Sequence, residues 1–404
     1  MAKYIIDDTE TTGPNPRYDQ ILQAAAILTN EDLEIEDSID IRSRLAAHRI
    51  PTPGALKVTG VNPYDMARAE YSPYEFMAKL HRTYCDWCPD EGVFAGYNNI
   101  NFDEEIKRQG WWENLLDPYI SSGRGKSRLD ALFLMRGIHA RNPDLLDWPR
   151  SEDTGKKNFR LENIAPLNGF QDHAAHDALG DVKATLHMMR LVRDTDPDLF
   201  SHMLMMGNAN RARDFVDHNA VFRMVGGPML DPGIMDVCLL ASEVDNPKSK
   251  VAWNLFRDPE PWMDATEDEI LEGMKTPGTP FRMVKCNKSP MVFPSNWEFL
   301  HPTLDEGAEM PDDTTLAYRA ELVQADPEFR GRVQRALIRK SAEFEREDTL
   351  EEQIYNGFPS RADKSRMKDF HRERSWERRR EIVRGFEGAT YRRLGLRTIY
   401  VNAP

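Results

Sequence analysis

The feature that most constrains the fold of this chain is a cluster of acids at the end of its first apolar segment. Lys3 to Glu10 begins with Tyr4-Ile5-Ile6, which is typical of a buried β-strand, and ends in Asp7-Asp8-Thr9-Glu10 ahead of a Thr-Thr-Gly-Pro turn. Because strand side chains alternate between faces, Asp8 and Glu10 share a face and Asp7 points to the other. Two adjacent carboxylates on a buried strand repel each other unless a cation lies between them. The segment therefore predicts a site for a hard cation such as Mg²⁺, although an isolated D-x-E pair is more commonly a solvated strand end.

Two further segments carry acids next to predicted elements. Residues 95–103 end a predicted strand in amides and then place Asp103 at the start of a helix, where Asp is a frequent N-cap. His176 precedes a helix predicted from Asp177 to Val192, which carries Asp181 one turn past Asp177. A histidine in that position can accept a proton near neutral pH. The alternative is a surface histidine beside a capping Asp177.

The order of predicted elements indicates an α/β domain with a mixed sheet over residues 1–195. The predicted strands are Lys3–Glu10, Ile21–Asn30, Glu34–Ile41 and Val93–Tyr97, and the predicted helices are Tyr74–Tyr84, a helix from Asp103, Leu129–Ile138 and Asp177–Val192. Residues 196–345 follow a Thr-Asp-Pro-Asp boundary. They contain short apolar strands among Pro/Gly turns, typical of a small β-barrel or sandwich, and become helical from Leu316. The predicted strands are Val221–Val225, Val237–Ala241, Phe281–Lys285 and Met291–Phe293. Residues 346–404 are predicted to form a helical third domain.

Charge and composition restrict the class of protein. The net charge of −14 argues against a bulk attraction for nucleic acid, but residues 361–397 contain 13 Lys/Arg against 6 Asp/Glu. That segment fits a solvated helix laced with ion pairs or a nucleic-acid-facing surface equally well. With no signal peptide and no apolar run of membrane-spanning length, the sequence predicts a cytoplasmic protein. The Cys85-x-x-Cys88 pair lacks a second ligand pair, so reduced structural thiols are expected.

The acids, taken in order, resemble the DEDD exonucleases of the RNase H-like fold, and a histidine five positions before the last Asp marks the DEDDh branch. The chain as a whole is similar to the bacterial exonuclease I family. In the first domain the resemblance rests on DTETTG (8–13), ALKVTGV (55–61), GYNNINFDEE (96–105), FRLENI (159–164) and HAAHDALGDV (173–182). Beyond it, FRMVKCNKSP (281–290) resembles part of the family's SH3-like β-barrel domain, and IYNGF (354–358) part of its helical C-terminal domain. The family's helical region normally runs on past the equivalent of Pro404, which puts the enclosure of DNA, and hence processivity, in question.

This resemblance implies a 3′–5′ exodeoxyribonuclease that releases 5′-mononucleotides from single-stranded DNA by two-metal-ion hydrolysis. Asp8, Glu10 and Asp181 would bind two Mg²⁺ ions directly, with Mn²⁺ as a substitute, and Asp103 would act largely through water. His176 would be the general base. Expected partners are single-stranded DNA and single-strand DNA-binding protein, with no membrane, and the chain is expected to be a monomer.

Substrate contacts are predicted for Glu10, Arg160, Tyr97, Asn98 and Arg128, with Phe102 as a further stacking candidate. Arg160 matches a position that contacts the terminal nucleotide in the family, but an ion pair with Glu162 would also explain it. The basic loop 124–128 is either a flexible clamp or a plain surface loop. Four tryptophans are expected in the core rather than as stacking platforms: Trp111, Trp112, Trp253 and Trp297.

Two other functions remain open on the sequence. The same chemistry could act on RNA, as in RNase T or oligoribonuclease, although those relatives are short and lack the later domains. A non-catalytic nucleic-acid-binding module on a decayed nuclease fold is the second alternative. The presence of competent residues at all five active-site positions argues against decay.

Overall fold

The computed structural model describes residues 3–60, 62–123, 125–151, 155, 157–171, 177–226, 233–299, 311–343 and 349–403. Its strands are β1 (Tyr4–Thr11), β2 (Ile21–Thr29), β3 (Ile35–Arg42), β4 (Gly92–Gly96), β5 (Lys126–Asp130), β6 (Val221–Gly226), β7 (Gly233–Ser242), β8 (Ser249–Asn254), β9 (Phe281–Lys285) and β10 (Val292–Pro294). Its α-helices are α1 (Pro53–Thr59), α2 (Pro63–Arg68), α3 (Pro73–Trp87), α4 (Asp103–Glu113), α5 (Ala131–Arg141), α6 (Leu161–Leu167), α7 (Ala178–Thr195), α8 (Pro197–Met206), α9 (Ala209–His218), α10 (Glu260–Met263), α11 (Glu267–Lys275), α12 (Asp313–Ala325), α13 (Pro327–Ala342), α14 (Arg361–Arg372), α15 (Trp376–Arg384) and α16 (Ala389–Asn402).

The chain forms two compact units. The first comprises Met1–Lys126, Phe170–His187 and Arg346–Pro404, and the second comprises Ser127–Gly169 and Met188–Glu345. The C-terminal segment therefore belongs to the same unit as the N-terminal strands. The division into domains at residues 195 and 345 stays a prediction.

The first unit is built on a mixed sheet, as predicted, in which β3, β2, β1 and β4 lie in that order. β1 pairs with β2 antiparallel and with β4 parallel. β2 is buried along its whole length, and Ala24, Ala25 and Ala26 lie opposite Thr9, Asp8 and Asp7. The register shifts after Glu10, so an irregularity ends the pairing of β1 next to its acids.

Gly96 closes β4 where it approaches β1. A Cβ atom at this position would lie 2.7 Å from the backbone oxygen of Asp7. Because real Cβ atoms are not found so close to a backbone oxygen, only glycine allows the ends of β1 and β4 to approach this closely.

Apolar side chains of α3 and α4 cover one face of the first sheet. Their shared core contains Ile5, Phe76, Leu80, Ile106 and Trp111 among others. The capping box of Ser72 and Glu75 fixes the start of α3.

The C-terminal helices pack against the same unit through a second core. Phe370, Phe386 and Leu394 lie in one cluster with Trp112 and Leu115, which come from the end of α4 and the residues after it. Polar contacts reinforce the packing, since the Tyr74 hydroxyl lies 2.9 Å from His371 Nδ1 and the Tyr74 amide donates to Asn402 Oδ1 at 3.0 Å. The segment 349–403 is therefore an integral part of the first unit.

The second unit is built around an antiparallel sheet of order β10-β6-β7-β8-β9. Helices α11 to α13 contribute to its core, in which Trp253, Phe281 and Phe329 are buried. The sequence predicted four of these strands and missed β8, in which the buried Lys250 obscures the apolar pattern while its ammonium group donates to Asp217 at 2.6 Å. Closure of this sheet into an SH3-like barrel stays a prediction.

Three local predictions differ from the structure. Leu129 lies in β5, and α5 begins at Ala131 because the Asp130 side chain caps it by accepting from the Leu132 amide at 3.0 Å. The loop predicted over 124–128 is therefore a strand from Lys126. Asp103 is the first residue of α4 and its side chain does not cap the helix.

Several short helices were also missed, although each has a readable start signal. α1, α2 and α8 begin at a proline that follows Thr52, Asn62 or Asp196, and each of these three side chains caps its helix. The Thr-Asp-Pro-Asp stretch that suggested a domain boundary is thus the start of α8.

The remaining observations concern the tryptophans, the cysteines and membrane-spanning segments. Trp111, Trp112 and Trp253 are buried, as predicted, and Trp297 is half-buried. All four cysteines are free thiols. Over the part of the chain that the structure describes, no helix is long and apolar enough to cross a membrane.

Candidate active site

Three predicted site residues converge at the end of β1. Asp8 and Glu10 project from this strand, and Asp181 joins them from the first turn of α7, with one oxygen from each within 4.8 Å of the others. Glu10 is buried, and Asp8 and Asp181 are half-buried. Among the described residues, no other group of three His, Cys, Asp or Glu side chains brings its ligand atoms this close together.

The electrostatics of this carboxylate group are unfavourable without a cation. Burial, and then the charges of Asp103, Asp181 and Glu10, raise the pKa of Asp8 well above its ordinary value. Burial, followed by the charges of Asp181 and Asp103, raises the pKa of Glu10 to about 7. Like charges this close favour protonation or a bound cation. Because all the donors are oxygens, they fit a hard divalent ion better than a soft one.

Asp103 lies beside the cluster of Asp8, Glu10 and Asp181 but is not one of its three acids. Its side chain is 6% exposed, and its Oδ1 accepts a hydrogen bond from Thr9 Oγ1 at 2.6 Å. Burial raises the pKa of Asp103 to about 6, while the Lys107 charge and the Thr9 hydroxyl act in the opposite direction. Asp103, the fourth predicted acid, is therefore held by its own hydrogen bond with Thr9.

Asp7 occupies the opposite face of β1, in agreement with the strand alternation. Its Oδ2 accepts a hydrogen bond from the Tyr84 hydroxyl at 2.6 Å and forms an ion pair with Lys107. Asp7 is thus paired inside the unit, whereas Asp8 and Glu10 converge with Asp181.

The residues around Asp181 are only partly described. Asp177 accepts a hydrogen bond from Gln23 Nε2 at 3.1 Å and lies 3.5 Å from Arg42. His176, the predicted general base, lies outside the described residues, so its role stays a prediction.

The predicted substrate-binding residues have different environments. Tyr97 is half-buried and Phe102 is half-buried, while Asn98 is exposed with φ 58°, a left-handed conformation that asparagine tolerates. The Arg160 guanidinium lies 3.8 Å from the Glu162 carboxylate. Because the Arg160 side chain is 75% exposed, the guanidinium remains accessible in this ion pair. Contact of these residues with DNA stays a prediction.

Arg128 requires a correction. It is 5% exposed, and its guanidinium donates to the backbone oxygen of Asn287. Its backbone amide also bonds to Gly207 at 3.1 Å. A side chain buried in this way holds its own unit together, so Arg128 does not serve as part of an exposed clamp.

Sequence reasoning missed Thr9 and Lys107. The available signals were the position of Thr9 on the same face as Asp7, and the spacing of Lys107 four residues after Asp103, which places both on one helix face. Neither signal identifies a partner 94 or 100 residues away.

Comparison with known proteins agrees with this geometry. The sequence model of the RNase T exonuclease family matches residues 5–189. Exodeoxyribonuclease I of Haemophilus influenzae is 30% identical over 385 residues, which cover 90% of this chain and 79% of that protein. The chain belongs to the exodeoxyribonuclease I family. It is accordingly a hydrolase, a 3′–5′ exonuclease of single-stranded DNA.

Solved structures of the exodeoxyribonuclease I family are similar to this chain over its whole length. The crystal structure of Escherichia coli exonuclease I with a dA16 oligonucleotide has a TM-score of 0.87 at 26% identity and covers 100% of this chain and 87% of that one. The crystal structure of SSB/exonuclease I in complex with the inhibitor CFAM has a TM-score of 0.84 at 26% identity and covers 100% of this chain and 87% of that one. The alternative of a short RNA-specific relative does not fit similarity of this extent.

Proposed function

We propose that this exonuclease removes 5′-mononucleotides from the 3′ end of single-stranded DNA with two Mg²⁺ ions bound by Asp8, Glu10 and Asp181. The observation that carries the proposal is the convergence of three carboxylate oxygens within 4.8 Å, at a site where burial and mutual repulsion raise the pKa of Glu10 to about 7. A cation relieves that repulsion, and oxygen donors suit Mg²⁺, with Mn²⁺ as a substitute.

The residues of the chain have separate tasks in this proposal. When bound, the ions would stabilise charge on the attacking and leaving oxygens of the phosphodiester. Asp103 would contribute largely through water, since Thr9 already engages its Oδ1. His176, five positions before Asp181, would accept the proton of the attacking water.

Substrate and partners follow from exposed side chains and from the relatives. Arg160 would contact the phosphate of the terminal nucleotide, because an exposed guanidinium can form two parallel hydrogen bonds to it. Tyr97 and Asn98 would contact the strand near the acids. The oligonucleotide and SSB complexes of exonuclease I support single-stranded DNA and single-strand DNA-binding protein as partners. We further propose that residues 196–345 contain an SH3-like domain and that the enzyme is a monomer.

The test is digestion of a 5′-labelled single strand with Mg²⁺, with and without an enzyme trap, beside a matched RNA strand. Stepwise loss from the 3′ end of DNA is expected, with RNA digested more slowly. The Asp181→Ala variant should not digest DNA, because one of the three convergent carboxylates is lost, but should still bind the strand in Ca²⁺. Digestion by Asp181→Ala at the wild-type rate would refute the assigned site.

The same assay tests the general base. His176→Ala is expected to lower kcat by about a hundredfold or more while metal affinity stays near that of the wild type. A weakened metal affinity would instead make His176 a ligand.

A further inference from the structure

Two buried polar contacts join β1 to α4. Thr9 Oγ1 donates to Asp103 Oδ1 at 2.6 Å, and Asp7 forms an ion pair with Lys107. The four side chains are between 3% and 7% exposed. We refer to these two contacts, Thr9–Asp103 and Asp7–Lys107, as the rungs.

The spacing of the rungs matches on both elements. Asp7 and Thr9 are two residues apart on one face of a strand, a separation of about 6.7 Å. Asp103 and Lys107 are four residues apart on one face of a helix, a rise of about 6 Å. Because the later strand residue pairs with the earlier helix residue, α4 runs antiparallel to β1. A slide of α4 by one residue would break both rungs, so together they define a single register.

The rungs are not needed merely to hold α4 against the sheet. Ile106 and Trp111 of α4 are fully buried in the core that contains Ile5 of β1, so apolar packing already holds the helix on the sheet. Buried ion pairs add little net stability compared with apolar contacts of the same size, and their clearest effect is to select one arrangement. What the rungs add is the exact placement of α4 along β1.

That placement controls the relation of Asp103 to the carboxylate group. Asp103 belongs to α4, which packs on the face of β1 that carries Asp7 and Thr9, while Asp8 and Glu10 project from the other face. We propose that Thr9 and Lys107 are positioning residues that fix Asp103 relative to Asp8 and Glu10. This inference rests on the proposed role of Asp103 in metal binding.

The experiment compares Thr9→Val, which keeps the shape but removes the donor, with Thr9→Ser, which keeps the donor. Thr9→Val is expected to lower kcat and to raise the half-saturating Mg²⁺ concentration, each by about tenfold, as is usual when the partner of a metal-site residue is removed. The KM for DNA should not change. Calorimetry of the DNA-free enzyme should show Mn²⁺ binding weakened to a similar extent, and Thr9→Ser should match the wild type in every measurement.

A purely structural role gives a different result. Thr9→Val would then unfold at a lower temperature with unchanged Mg²⁺ dependence and unchanged Mn²⁺ affinity, and that result would overturn the inference. If Thr9→Val does not fold, the double variant Asp7→Asn with Lys107→Met removes the other rung without leaving a buried charge alone. Weaker Mn²⁺ binding by the double variant supports the inference, and wild-type affinity contradicts it.

Asp103→Asn separates this inference from the proposed function. If Asp103→Asn digests DNA at the wild-type rate, the assigned role of Asp103 is wrong. If Asp103→Asn is impaired while Thr9→Val is not, the active-site assignment stands and only the positioning role is lost.

Discussion

Four consecutive polar residues of β1, Asp7 to Glu10, alternate between two faces that are built differently. On one face Asp7 and Thr9 have internal partners, namely Tyr84, Lys107 and Asp103. On the other face Asp8 and Glu10 converge with a further acid, and their pKa values are raised. An acid whose charge is balanced inside the protein stabilises the fold, whereas mutual repulsion between acids favours binding of a cation from solution. We call these the paired face and the open face.

The largest stability effect is expected on the paired face. Lys107→Met leaves the Asp7 carboxylate buried without a counter-ion, and removal of one partner of a buried ion pair costs about 3–5 kcal/mol. Chemical denaturation of the metal-free protein measures this loss. The double variant with Asp7→Asn should recover most of it. A single variant as stable as the wild type would show that the two faces do not differ in this way.

An effect of opposite sign is expected on the open face. Because the pKa of Glu10 in the folded protein is raised from 4.5 to about 7, its ionised form destabilises the fold. Glu10→Gln should therefore raise the metal-free free energy of unfolding by about 1–2 kcal/mol at pH 8 while abolishing digestion. Denaturant unfolding and the digestion assay measure the two effects. Loss of stability in Glu10→Gln would remove the distinction between the faces.

The pH dependence of metal stabilisation sharpens the comparison. Between pH 4.5 and about 7 the folded protein binds more protons at Glu10 than the unfolded chain, so stability falls as pH rises through this range. At pH 8 the repulsion is complete and a cation relieves more of it. Mg²⁺ should therefore raise Tm by at least about 2 °C more at pH 8 than at pH 6. Glu10→Gln is the control and should show a smaller difference between the two pH values.

The smallest effect is expected for Asp177, which lies near the open face but already has partners. Its side chain is 42% exposed and contacts Gln23 and Arg42. Asp177→Asn should change stability by less than about 0.5 kcal/mol and keep most of the digestion rate. A loss comparable to that of Asp181→Ala would place Asp177 among the metal-binding acids.

The sequence predicted the open face better than the paired face. Strand alternation is a local rule, so it separated Asp8 from Asp7 correctly, whereas the resemblance to the DEDD exonucleases pointed to Asp181 as a third acid, which lies on α7. The partners of the paired face are 77 to 100 residues distant, and no local pattern connects Thr9 with Asp103. The same limit applies to Arg128, which looked like part of a basic loop until β5 placed its guanidinium against Asn287.

Local rules also explain which elements of the fold were predicted from the sequence and which were missed. The central strands were predicted because their apolar runs are continuous, as in β2. Helices α1 and α2, of seven and six residues, are too short for a clear apolar period, and only their proline starts indicate them. The C-terminal helices were predicted as helical, but their packing on Trp112 and Leu115 depends on contacts that link distant parts of the chain.

The inclusion of residues 346–404 in the first unit has a consequence for biosynthesis. When β1 to α4 have left the ribosome, Trp112 and Leu115 still lack the apolar side chains of α14 to α16 that complete their core. At 5–20 residues per second, the roughly 280 residues between Lys126 and the end of α16 take about 15–55 s to be made. During that time the unit that carries the acids is unfinished. Translation thus delays the completed nuclease until the last helices emerge.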